Sequence, residues 1–227
     1  MKRIEVIPGT LVSVVLVVGA WQQFLPLSLT EVFGFITGAL CVWLTVKQNI
    51  WTWPTSIANN IFFIVLFLQA QLYADMSLQV VYIVLEVLGW YRWLHGGNNS
   101  SRLSVSKASA QTLAILGLLL IGITFGMTLF LESVNDSAPF LDGLTTVMSL
   151  IAQYMLTRKL IENWYIWIAA DVIYIGLYAA KGLYLTSGLY FLFLCMCLAG
   201  LWSWRKDLLT SQKITPTVTN LSTSQGA

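Results

Sequence analysis

The 227-residue chain is 57% hydrophobic and only 10% charged, against about 25% charged residues in an ordinary soluble domain. A water-soluble globule is excluded, because 12 basic and 10 acidic residues cannot clothe a core of that size. A formal charge of +2 gives no basic footprint for nucleic acid, and one histidine with three cysteines supplies no ligand set for a metal or other cofactor.

A helix that crosses a bilayer needs about 20 mostly apolar residues. Eight segments meet this, at 9–26, 30–47, 52–70, 76–94, 110–131, 139–157, 160–180 and 184–204. The predicted fold is an all-α polytopic membrane protein. Residues 1–28 hold the first span. Its Met1-Lys2-Arg3 start and Val18-Gly19-Ala20 also resemble a signal peptide, whose removal would leave seven spans. Residues 29–94 form a three-helix unit, and 95–109 a cytoplasmic linker rich in Gly, Asn and Ser, expected to be flexible. A connecting helix (110–131), a second three-helix unit (132–204) and a polar cytoplasmic tail (205–227) follow. Cys41, Cys195 and Cys197 lie in apolar runs and read as small buried hydrophobes rather than disulfide partners. Gly34-xxx-Gly38 and Gly122-xxx-Gly126 suggest close helix contacts.

Alternating the spans from an inside N-terminus puts Lys2, Arg3, Lys47, Arg92, Arg102, Lys107, Arg158, Lys159, Arg205, Lys206 and Lys213 on one side. Lys181 alone falls on the other. The positive-inside rule then places both termini in the cytoplasm of a plasma (inner) membrane protein.

The chain repeats itself weakly. Residues 31–93 match 142–204 without gaps at an offset of 111, with eleven identities in 63 positions. Trp53/Trp164, Tyr73/Tyr184, Gly89/Gly200 and Trp93/Trp204 are the informative pairs, and Asn60 falls opposite Asp171. Three spans per copy with one span between them give a 3+1+3 arrangement of parallel repeats behind one extra N-terminal helix. Transporters are built this way, with the substrate near the midplane between the copies.

Polar residues inside the spans fall on stripes. Trp164, Trp167, Asp171, Tyr174 and Tyr178 share one face of the seventh span, and Trp53, Ser56, Asn60, Phe63 and Phe67 the matching face of the third. Gln79, Tyr82, Glu86, Trp90 and Trp93 line the fourth, and Asp142, Thr145 or Thr146, Ser149 and Gln153 the sixth. A carboxyl group at mid-depth should face a cavity rather than lipid. No Lys or Arg lies at the depth of Asp171 and Glu86, so either one of them is held neutral by desolvation or the site is built for a cation. Aromatic rings beside acids and amides suit a flat, cationic, hydrogen-bonding ligand. The candidate binding set is Trp53, Asn60, Gln79, Glu86, Gln153, Trp164, Trp167, Asp171 and Tyr174. Competing readings are an interfacial belt for Trp51, Trp90, Trp93, Trp202 and Trp204, helix-to-helix bonding for Asn60 and Gln79, and packing for Tyr174 and Tyr178. An intramembrane enzyme or a scaffold is the alternative of another class. His95 sits at a membrane edge, and Asp142 and Asp171 lie at different depths, so no catalytic pair is visible.

The runs WTWPTSIANNIFFIVLFLQAQLYADMSLQVVYIVLEVLGWYRW and TRKLIENWYIWIAADVIYIGLYAAKGLYLTSGLY resemble the two repeats of the PnuC-type vitamin transporters, over about residues 30–206. The resemblance implies a SWEET-like fold, a homotrimer and uptake by facilitated diffusion, with a cytosolic kinase trapping the product by phosphorylation. It implies nicotinamide riboside, thiamine or riboflavin as substrate. It also implies ligand contacts on the face Trp167-Ile-Ala-Ala-Asp171, where nicotinamide riboside carriers have Asn in place of the Asp. Glu86 likewise stands where those carriers have Asn. Two added acids are compatible with pyridinium or thiazolium cations, so nicotinamide riboside comes first and thiamine second. Neutral riboflavin fits less well.

Overall fold

The computed structural model describes residues 29–69, 71, 73–97, 100–136 and 138–224. Among them are seven helices: α1 (Leu29–Val46), α2 (Thr52–Gln69), α3 (Tyr73–His95), α4 (Ala110–Ser133), α5 (Pro139–Thr157), α6 (Asn163–Ala180) and α7 (Tyr184–Ser224). The predicted span at 9–26 lies outside the described residues. Eighteen residues, the length of α1, α2 and α6, rise about 27 Å, close to the thickness of a hydrocarbon core. Among the described residues there is no strand, only the isolated bridge between Ser106 and Leu160.

Local chemistry sets the helix ends. Ser109 caps α4 by accepting the Thr112 N–H at 3.1 Å, and Pro139 opens α5, where a missing N–H costs nothing. Helices α1 and α5 close with the same left-handed cap, on Gln48 (φ 51°) and Lys159 (φ 55°). In α1 the N–H groups of Gln48 and Asn49 return to the carbonyls of Thr45 and Leu44; in α5 those of Lys159 and Leu160 return to Leu156 and Met155. Each residue of the second set lies 111 positions after its partner in the first.

The packing carries the same offset. Helix α1 packs on α2 and α7, α5 on α6 and α3, α2 on α3 and α6 on α7, while α4 packs against α5. Four indoles run through the middle. Trp53 meets Trp93 edge-on at 5.2 Å and 90°, Trp164 meets Trp204 edge-on at 5.4 Å and 88°, and Trp93 and Trp204 lie 6.0 Å apart. Two glycines permit this. A Cβ at Gly89 would lie 2.2 Å from the Trp53 ring, and one at Gly200 2.5 Å from the Trp164 ring.

Several expectations change. Trp93 and Trp204 are 3% and 0% exposed, so they are core residues rather than belt residues; Trp51, Trp90 and Trp202 are exposed as a belt requires. Their neighbours explain the difference, since Trp93 packs against Trp53 and Trp204, and Trp204 against Trp164. Cys197 is buried, but Cys195 points out of α7 and is exposed, because two residues on a helix separate by about 200°. Gly34 packs against Phe63, whereas nothing lies within 4 Å of a Cβ at Gly122 or Gly126. The linker is docked rather than loose. Ser106 exchanges backbone hydrogen bonds with Lys159 and Ile161, the Ala108 N–H meets the Glu162 carboxylate at 3.0 Å, and Val105 enters the tryptophan core. The polar tail continues α7 as helix to Ser224.

Candidate functional site

All nine candidate residues line one cavity of about 370 Å³. Helix α2 supplies Trp53 and Asn60, α3 Gln79 and Glu86, α5 Gln153, and α6 Trp164, Trp167, Asp171 and Tyr174. Ser56, Tyr82 and Ser149 of the same stripes also reach it, as does Asn59 next to Asn60, while Phe63, Phe67, Trp90, Trp93, Asp142 and Tyr178 do not line it. Helix α1 adds Cys41 and Thr45, and α7 adds Tyr190, Phe193 and Cys197.

The sequence reading missed the α7 group, although the 111-residue offset locates it. Gln79, Tyr82 and Glu86 advance by that offset onto Tyr190, Phe193 and Cys197. The chemistry differs between the pairs, so a search for polar residues passes over Tyr190, Phe193 and Cys197.

The walls are distinct. Trp53 and Trp164 close one end, buried and backed by Trp93 and Trp204. Those backing indoles are fully bonded: Trp93 donates to the Leu156 carbonyl at 3.0 Å and Trp204 to the Thr45 carbonyl at 3.2 Å. Tyr174 and Tyr190 form another wall, their rings tilted by 31° with centroids 4.7 Å apart, and Tyr178 stacks on both from outside the lining. Glu86 accepts a hydrogen bond from the Ser56 hydroxyl. Asp171 lies beside the Cys197 thiol.

Buried polar atoms normally have partners. Here the indole N–H groups of Trp53 and Trp164, Glu86 Oε2, Asp171 Oδ2 and Asn163 Oδ1 have none among the described residues, and every one of these residues lines the cavity. The residues around the cavity thus hold two donors and three acceptors that have no partner within the described protein. No Lys or Arg is among its lining residues, and among the described residues no His, Cys, Asp or Glu cluster could hold a metal ion.

Below the indoles, Lys159 is 7% exposed. Its ammonium donates to the Leu103 carbonyl at 2.9 Å and lies 4.5 Å from the centre of the Trp93 ring. Burial pulls its pKa down from 10.5 to about 8, with Asp207 opposing and Arg102 adding to the fall.

Comparison with known proteins places this geometry. The chain is 28% identical over 205 residues to the nicotinamide riboside transporter PnuC of Escherichia coli, covering 78% of this chain and 85% of that one. It is 23% identical over 180 residues to the riboflavin/roseoflavin transporter RibM of Streptomyces davaonensis, covering 77% and 84%. Its fold is similar to a crystal structure of the vitamin B3 transporter PnuC, with a TM-score of 0.68 and 21% identity over 92% of this chain and 94% of that one. Ala110–Ser133 and Tyr184–Thr210 are long and apolar enough to cross a membrane. With residues 28–206 matching the family described as nicotinamide mononucleotide transporter, the chain belongs to that family of membrane transporters.

Proposed function

We propose that this protein takes up nicotinamide riboside, or less favourably thiamine, by facilitated diffusion. Phosphorylation by a cytosolic kinase would trap the product. The observation that carries the reading is the cavity between α1–α3 and α5–α7, with its unbonded indole N–H groups and acidic oxygens and no basic side chain. Nicotinamide riboside carries a pyridinium charge, a carboxamide that both donates and accepts, and ribose hydroxyls. These features complement a cavity lined by acids, amides and aromatic rings and by no basic side chain. The relatives named for nicotinamide riboside support the same substrate.

In this reading the chain holds two parallel three-helix repeats, α1–α3 and α5–α7, joined by α4. The matched caps, indole pairs and hydrogen bonds at the 111-residue offset support it. An eighth span at 9–26 and cytoplasmic termini in an inner membrane complete the proposed topology, on the strength of the Lys and Arg distribution.

Titration calorimetry of the purified chain against nicotinamide riboside, thiamine and riboflavin tests the substrate. Tightest binding of nicotinamide riboside is expected, and preference for riboflavin would overturn the cationic reading. Sealed vesicles holding the protein should equilibrate the substrate with no energy source. Accumulation driven by a proton gradient alone would overturn the passive part.

A further inference from the structure

The two acids of the cavity stand in different company. Asp171 lies beside the Cys197 thiol, in a part of the lining rich in aromatic residues. Trp167 precedes it by one helical turn, Tyr174 follows it, and the Tyr190 ring lies 4.7 Å from that of Tyr174. Glu86 is surrounded by hydrogen-bonding groups. Ser56 donates to its Oε1, the Asn60 amide is within reach, and Gln153 shares its cavity. The internal offset does not pair the two acids. Asp171 falls opposite Asn60, and Glu86 opposite Cys197. Each half thus carries one acid on a different helix, and the pocket has two unlike ends.

Both acids have an unused oxygen. Glu86 is 2% exposed and Asp171 6%, and Glu86 Oε2 and Asp171 Oδ2 have no hydrogen-bond partner among the described residues. Ring faces with a carboxyl group attract a fixed positive charge. A buried oxygen among amides and hydroxyls instead demands a donor, and a ligand without one leaves it unsatisfied.

Building on the cationic-vitamin reading, we propose that the cavity reads one ligand at two ends. Asp171 and its aromatic neighbours hold the charged heteroaromatic ring. Glu86 accepts O–H or N–H donors from the uncharged arm of the same molecule, and is the residue that requires the arm to be present.

The experiment compares nicotinamide riboside with 1-methylnicotinamide, which keeps the charged ring and lacks the ribose. Binding to the full chain is measured by calorimetry, or by competition where it is weak. Glu86→Gln should weaken nicotinamide riboside about tenfold or more and leave 1-methylnicotinamide within about twofold. Asp171→Asn should weaken both about tenfold. Ser56→Ala keeps the acid and removes only its hydroxyl partner; it should move nicotinamide riboside alone, and it serves as the probe should Glu86→Gln fail to fold. Parallel losses for both ligands in Glu86→Gln or Ser56→Ala, or no loss for either, overturn the division of roles while leaving the substrate reading intact. A wild-type chain that binds neither ligand overturns both.

Discussion

Trp93 and Trp204 face each other across the centre of the protein with ring centroids 6.0 Å apart, and each donates its indole N–H to the opposite half. Their acceptors, Leu156 and Thr45, are themselves 111 residues apart. Each acceptor carbonyl also belongs to the cap that ends its helix. The pair therefore ties the end of α1 to α7 and the end of α5 to α3 by the same bond made twice.

Trp93→Phe and Trp204→Phe each remove one such bond while keeping a ring in place. Each should cost about 0.5–1.5 kcal/mol for the hydrogen bond, with a further loss of packed area. Thermal unfolding in detergent should show similar drops for the two variants. A drop for one alone would mean that the two bonds are not equivalent in energy.

The glycines beneath the outer indoles give a second expectation. A methyl group at Gly89 or Gly200 would meet Trp53 or Trp164 at 2.2 or 2.5 Å, whereas nothing lies within 4 Å of one at Gly176. Gly89→Ala and Gly200→Ala should lower stability by about 1–3 kcal/mol. They should also weaken ligand binding, since the displaced indole moves into the cavity. Gly176→Ala should be harmless, because alanine favours a helix interior. Equal melting temperatures for all three would show that the indoles yield without cost.

Much of this was legible in the chain, and the reason differs from place to place. Helix positions followed from apolar run length, so α2, α3 and α5 begin and end within three residues of the expected spans. The stripe on α6 followed from a spacing of three and four, and Trp164, Trp167, Asp171 and Tyr174 do line the cavity. The burial of Trp93 and Trp204 was not legible, because an aromatic residue near a span end looks the same whether it faces lipid headgroups or another helix. The linker misled for a related reason. Its Gly, Asn and Ser content signals freedom, but Ser106, Ala108 and Leu103 are held by backbone groups and by Glu162 and Lys159. Composition does not record such bonds.

Trp167 and Asp171 are one turn apart on α6 and both line the cavity. Truncating either to alanine should weaken binding about tenfold or more, by loss of a ring face or of the acid. The protein should still insert and purify, since Trp167 is only partly buried and Asp171 Oδ2 has no hydrogen-bond partner among the described residues. Normal affinity in purified Asp171→Ala would make the acid purely structural.

Lys159 sets a pH dependence outside the spans. Its pKa is about 8 in the fold against an ordinary 10.5, chiefly through burial. Below pH 8 both the folded and unfolded chains carry the proton, and the folded state bears the full cost of burying it. Between about pH 8 and 10.5 the unfolded chain holds more protons than the folded one, so stability rises with pH across that window. Lys159→Met should flatten the rise. The difference between the two melting profiles at pH 7.5 and 9.5 checks the sign, and a wild-type chain that gains nothing relative to the variant contradicts it.

The docked linker yields the last expectation. Residues 103–108 are held by the Ser106 backbone pair, the Lys159 bond to the Leu103 carbonyl and the Glu162 bond to the Ala108 N–H. The Glu162 bond is the one made by a half-buried side chain that makes no contribution to the tryptophan core. Glu162→Ala should therefore release the segment locally without unfolding the helices. Amide exchange at Ala108 and its neighbours should accelerate, while protection within α5 and α6 stays unchanged. Exchange at wild-type rates in the variant would show that the backbone bridge at Ser106 and the burial of Val105 hold the linker by themselves.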